Sequence, residues 1–284
     1  MGCGWDPTMP LDRLIDHLQA NWRETAAYAP LLAAGRPAFA WEWLRRDSGY
    51  RQAALGRAGP PASAWGLHEF EPPEQDFRSA RPMWRRSAWP LVLEADALDG
   101  GPELERLDIS GLRRLVSVRR SDGAEHLLLS DGAHSIRLDL LSGTLLEGPT
   151  LLRYRIAGLT GTAGPLLALR QLLALSSTGT FSKPLHRPER RAARWILVLR
   201  AFDAMSSGAD QRAIAEFLLD RRAGLARWRI AEPSLRSRAQ RLVREAKRMA
   251  SGGYRDLLRG PPAADERHAP GRWLEKCDFE YSSL

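Results

Sequence analysis

The chain has 284 residues, 44% hydrophobic and 27% charged, a balance close to that of soluble globular proteins and long enough to bury a core without covalent staples. Its two cysteines, Cys3 and Cys277, sit near the termini and exclude a disulfide scaffold and a cysteine-based zinc module, and no apolar run approaches a membrane-spanning length. Lysine and arginine total 42 against 34 acidic residues, a net of +8, and no basic-then-apolar leader opens the chain, so a cytoplasmic protein is expected.

Residues 1–9 read as a flexible extension. Met1-Gly2-Cys3 opens like a myristoylation signal, but that pattern needs Ser or Thr where Asp6 stands. Residues 10–56 read as a small helical region. Leu11, Leu14, Ile15, Leu18 and Trp22 repeat at helical spacing, and Phe39–Arg46 forms a second helical stretch. Trp41 and Trp43 are expected to fill a small core rather than to stack on a base. Residues 56–83 are loop-like, because Gly59-Pro60-Pro61 and Pro72-Pro73 break regular structure, and the first boundary falls here.

Residues 84–157 read as β. The runs Leu112–Arg119, Glu125–Ser130, Ser135–Leu141 and Thr150–Ile156 are separated by Asp122-Gly123, Asp131-Gly132 and Ser142-Gly143. Asp-Gly between apolar runs is a hairpin signal, so an antiparallel meander is expected. His126, His134 and Asp139 lie on neighbouring strands of that meander and can in principle meet at a metal. No short ligand spacing supports one, so a solvated surface is expected, with no metal and no cofactor. Gly158–Gly164 precedes another helical run. A phosphate loop would end in Gly-Lys-Ser/Thr, whereas Pro165 and Leu166 follow here, so the segment reads as a connector. Residues 162–260 are helical, and residues 261–284, opened by Pro261-Pro262, read as a loose tail.

The positive charge is concentrated. Residues 181–260 hold 19 basic and 8 acidic side chains, a net of +11, while the rest of the chain is slightly acidic. A concentrated basic block is the footprint of a polyanion binder, since each neutralised phosphate releases condensed counterions. Within it, Trp195, Ile196, Leu199, Phe202 and Met205 mark one helix, ended by Ser206-Ser207-Gly208. A shorter helix begins after Asp210 as N-cap and carries Ile214, Ala215, Phe217 and Leu218.

A third helix runs from Pro233 to about Ala250 and ends at Gly252-Gly253. On a helical wheel, Leu235, Ala239, Leu242, Val243, Ala246, Met249 and Ala250 share an arc of about 120°. Arg236, Arg238, Arg241, Arg244, Lys247 and Arg248 occupy the other side, with Ser234, Ser237 and Gln240 between them and only Glu245 opposing their sign. A solvated helix usually mixes signs to gain i,i+4 pairs. The DNA major groove admits a single helix, and arginine forks onto guanine edges or phosphates. The alternative of a membrane-surface helix needs a bulkier apolar face than this seam of alanine and valine. The face points to duplex DNA.

The stretches EHLLLSDGAHSIRLDLLSGTLLEGPTLLRYR (125–155), RRAARWILVLRAFDAMSSGADQRAIAEFLL (190–219) and SLRSRAQRLVREAKRMASGGYRDLLRG (234–260) resemble the bacterial RovC-like transcription factor DNA-binding domain family. Residues 10–51, with FAWEWLRRDSGYR, resemble the small transcriptional-regulator-like domain that often precedes it. The resemblance implies a DNA-binding transcription regulator, in a family known for activating secretion genes and genes of integrative mobile elements. The fold class expected is therefore α+β: an N-terminal helical region, a central antiparallel β meander and a C-terminal helix-turn-helix-like DNA-binding domain.

In that reading Ser234, Arg236, Ser237, Arg238, Gln240 and Arg241 face base edges. Arg244, Lys247, Arg248 and the loop arginines, Arg227 and Arg229 among them, hold phosphates, which position the protein without specifying sequence, and Arg212 is a further DNA contact. The stretch from Asp220 to Glu232 is longer than the tight turn of a standard helix-turn-helix. One reading helix per protomer gives a small footprint, so a homo-oligomer on promoter DNA is expected, with RNA polymerase as a further partner and no membrane. The competing class is a non-specific DNA-binding accessory or a nuclease-like enzyme of a mobile element. Its densest acids, Glu103, Glu105 and Asp108, lie in a polar segment that reads as a solvated loop, so no catalytic residues are expected.

Overall fold

A computed structural model of the chain describes residues 21–56, 59–158, 161–220 and 233–259. The stretch 10–20, both predicted tails and the loop arginines Arg221, Arg222, Arg227 and Arg229 lie outside the described residues. The architecture is α+β in the expected order, with helices before and after a central sheet.

The N-terminal part begins with 3-10 turns over Thr25–Ala33, where Pro30 interrupts helical bonding. Helix α1 follows (Arg36–Leu44), with Pro37 in its first turn, and then α2 (Ser48–Ala54), whose N-cap Asp47 accepts from Tyr50 N at 2.9 Å. Phe39, Trp41, Trp43 and Leu44 are all buried, so the tryptophans fill the core as their spacing predicts.

This part does not close on itself. Helix α4 (Ala192–Ser206) brings Trp195 edge-on to Phe39, at 5.1 Å, and Phe202 against Trp43, at 5.4 Å. Together with Leu242 and Leu258 they form one continuous core. An ion network crosses the same contact. Arg46 donates from Nε to Asp203 Oδ1 at 2.7 Å and from Nη2 to Oδ2 at 3.0 Å. Tyr28 donates to the same Oδ2 at 2.6 Å, and Glu42 accepts from both Arg45 and Arg46. Burial pushes the Glu42 carboxyl up, but Arg45 and Arg46 more than offset it and hold it below the usual carboxylate range.

The sheet has six strands: β1 (Leu93–Leu98), β2 (Arg106–Leu107), β3 (Val116–Ser121), β4 (Ala124–Ser130), β5 (Ser135–Ser142) and β6 (Thr150–Tyr154). The expected meander is present as β3–β4–β5, antiparallel throughout. Asp122 and Gly123 turn the first hairpin with φ of 54° and 76°, the positive pair that such a two-residue turn requires.

The sheet is wider than that meander and not wholly antiparallel. Its order is β2-β6-β1-β5-β4-β3, and β1 runs parallel to β5. Strand β1 reads Leu-Glu-Ala-Asp-Ala-Leu and pairs only with distant segments, so no local turn signal announces it. The run predicted to start at Leu112 starts at Val116, because Ser110–Leu112 forms a 3-10 turn held by Asp108.

Period-two alternation gives the sheet two different faces. Leu127, Leu129, Ile136, Leu138 and Leu140 pack against Ala168, Leu172 and Leu175 of helix α3 (Ala163–Thr178). The opposite face carries His126, Leu128, Arg137 and Asp139, covered by the irregular segment before β1 that includes buried Met83 and Trp84. Arg137, fully buried, donates to Trp84 O at 3.1 Å and to Leu127 O at 2.6 Å. The described part of the predicted loop, 59–83, is thus irregular yet packed.

Candidate nucleic-acid interface

Three further helices complete the C-terminal part: α5 (Gln211–Leu218), α6 (Pro233–Arg248) and α7 (Arg255–Arg259). Asp210 caps α5 as its sequence predicts, accepting from Ala213 N at 2.8 Å. Helix α6 starts at Pro233 and ends where Ser251 and Gly252 leave helical geometry, with Gly252 at φ 100°.

The seam of α6 is buried on two neighbours. Leu235 and Ala239 pack on Ala215 of α5, and Leu242 and Ala246 enter the core shared with α4. Fixing that seam fixes the rotation of the helix. Ser234, Arg236, Ser237, Arg238, Gln240, Arg241, Arg244, Lys247 and Arg248 are then all exposed, so the structure brings together every α6 residue that the sequence singles out. Arg212 is exposed on the first turn of α5. The predicted phosphate contacts Arg227 and Arg229 lie outside the described residues.

Most of the charge on this face has no counter-charge among the described residues. Among the described residues, no carboxylate lies within ion-pair distance of Arg236, Arg238, Arg241, Arg244 or Lys247. The one acid of α6, Glu245, is turned to the α4 side, where Arg194 binds it, its Nε at 3.1 Å. Arg248 sits 3.5 Å from Asp256 of α7, both exposed. Composition alone left Glu245 as a diluting charge; the pairing with Arg194 removes it from the face. A groove of about 660 Å³ runs beside α6, edged by Gln240, Arg244 and Lys247 and floored by Met205, Gly208 and Ile214. Gln211 also lines it, a residue for which the sequence offers no signal beyond its place after the N-cap.

Two other clusters were weighed from sequence. Glu103, Glu105 and Asp108 are exposed, as expected of a solvated segment. His126 and Asp139 are not the solvated residues expected: each is only 5% exposed. Their strands pair with this face inward, because the segment carrying Trp84 packs over it, which period-two alternation cannot reveal. His134 lies apart, with Nδ1 3.0 Å from Asp131, and His68 takes its place beside His126. Burial, then His126 and Arg137, push the His68 imidazole down to about 4.

Residues 161–259 match the family model described as T6SS, transcription factor, DNA binding domain. Residues 21–68 match a proteobacterial transcriptional regulator-like domain. No curated protein and no solved structure matches the chain. Among the described residues, no helix is long and apolar enough to cross a membrane.

Proposed function

Taking the chain as the DNA-binding transcriptional regulator that its two matched domains indicate, we propose that the solvent face of α6 enters the DNA major groove. The observation that carries this reading is the row of exposed cations on one helix with no described carboxylate to pair with. Such a row is self-repelling until an anion arrives. Helix α5 acts as the supporting helix of a helix-turn-helix-like unit, holding the first half of α6 through Ala215, Leu235 and Ala239.

The division of labour follows position. Arg236, Arg238, Gln240 and Arg241 read base edges, with Ser234 and Ser237 between them. Arg244, Lys247 and Arg248, with Arg212 on α5, hold phosphates. The protein works as a homo-oligomer on repeated half-sites, which the exposed Leu166, Leu167 and Leu173 on α3 support as an apolar face open to a second copy. Activation of transcription is what the resemblance implies, and RNA polymerase is the further partner that goes with it.

The test is a fluorescence titration of the full chain with its own upstream promoter DNA and with a shuffled duplex, at two salt concentrations. Tighter binding to the promoter that persists at the higher salt is the expected result. Equal and salt-fragile binding to both duplexes would leave a non-specific accessory protein and remove the base-reading roles.

A further inference from the structure

His68, His126 and Asp139 meet on the sheet face turned away from α3, and they arrive there from three separate stretches of chain. His126 on β4 and Asp139 on β5 are direct cross-strand partners. His68 comes from the segment that covers the sheet: its backbone N–H donates to Met83 O at 2.9 Å, and Leu67 beside it bridges Trp84. One donor atom from each residue lies within 4.8 Å of the other two.

Two of the nitrogens in this cluster have no partner among the described residues. Asp139, as a carboxylate, only accepts, so Nδ1 of His126 is the donor in their 2.8 Å bond, and in the neutral imidazole Nε2 then carries the lone pair. That Nε2 is buried and has no hydrogen-bond partner, on a side chain that is itself 5% exposed. His68 Nε2 is also buried without a partner, while its Nδ1 sits 3.4 Å from Ser121 Oγ. Buried polar atoms are almost always bonded. Here two orphaned imidazole nitrogens belong to rings whose centroids are 3.7 Å apart. A carboxylate behind a histidine is also the arrangement that orients and strengthens ligand histidines.

We propose that His68 Nε2 and His126 Nε2, with Asp139 behind His126 as the carboxylate that orients it, form a binding site for a borderline transition-metal dication of the Zn²⁺ class, which ties the segment carrying His68 to the central sheet. A pair of imidazole nitrogens suits such ions, with water completing the shell, whereas Ca²⁺ and Mg²⁺ take oxygen ligands. The rings are tilted by 32°, so they must open slightly for both lone pairs to converge. His68, only part-buried and held on a loop, is the ring that moves. Arg137 works against the ion, since its Nη2 donates to Asp139 Oδ1 at 2.8 Å. The guanidinium charge sets a ceiling on affinity and makes the ion exchangeable.

Co²⁺ is the probe, because its visible absorption intensifies on entering a four-coordinate protein site. Chelator-treated full-length protein is titrated with Co²⁺ and then with Zn²⁺. The expected result is saturable uptake of one ion per chain, displaced by Zn²⁺. His68→Gln, at the part-exposed ligand, should abolish the band with the far-ultraviolet dichroism unchanged. Asp139→Asn should weaken binding about 10- to 100-fold. If His126→Gln fails to fold, His68→Gln decides the matter alone. Absence of saturable uptake by the unaltered protein, or uptake that survives His68→Gln, overturns the proposal.

Discussion

Arg46 and Arg241 are the same side chain in opposite settings. Arg46 has 2% of its side chain exposed and is held by two carboxylates, Asp203 and Glu42. Arg241 is exposed in the middle of α6 with no described carboxylate near it. Around Arg46, burial was possible only because each charge met its counter-charge. Around Arg241 no such requirement applies, and the charge remains available to a partner. An arginine-rich chain therefore divides by pairing: matched guanidiniums hold the helical parts together, and those without a described partner mark the face proposed to bind DNA.

The comparison breaks most sharply at the buried side. Arg46→Met leaves Asp203 buried without its cation and Glu42 with Arg45 alone, and should cost about 3–5 kcal/mol, read as a fall in the urea midpoint. Normal stability of that variant would show that the network is dispensable. Acid should weaken the same network. The Glu42 carboxyl is held below its usual range in the folded chain, so its contribution is complete at neutral pH and is lost as pH falls through that range. Glu42→Gln should flatten that part of the stability-against-pH curve.

On the exposed side the effects move to DNA. Arg238→Ala and Arg241→Ala should each cost about 1–3 kcal/mol of promoter affinity if they read bases. Their stability should stay within about 0.5 kcal/mol of the unaltered chain. A matching loss on the shuffled duplex would reassign them to phosphates. Lys247→Ala should weaken binding to every duplex alike and lower the salt slope by about one. The smallest effect is expected at the boundary between the two classes. Glu245→Gln releases Arg194 at a stability cost of about 0–1 kcal/mol. It should tighten DNA binding slightly, and a clear weakening would mean that Glu245 positions α6 rather than merely standing aside.

Much of the proposed binding face was legible in the residues. The wheel of α6 is a local property, and the structure leaves its polar side exposed because its apolar side has somewhere to go. Asp210 capping α5 and the Asp122-Gly123 turn were equally local and appear as read. Strand β1 was not legible, because its partners are β5 and β6 and its own residues alternate with acids. The burial of His126 and Asp139 was missed for the same reason: alternation separates two faces but does not say which one another segment will cover. His68 stands far from both in sequence, and nothing in its local context marks it.

The sequence by itself therefore determined the order of helices, strands and helices, the amphipathic cut of α6 and the location of excess positive charge. These depend on residues three or four positions apart or on short turns. Only the tertiary structure decided that the N-terminal helices share a core with α4 and α6, that Glu245 is withdrawn by Arg194, and that two histidines and an aspartate converge. Each of those joins groups distant along the chain, whose meeting depends on how all the elements pack at once.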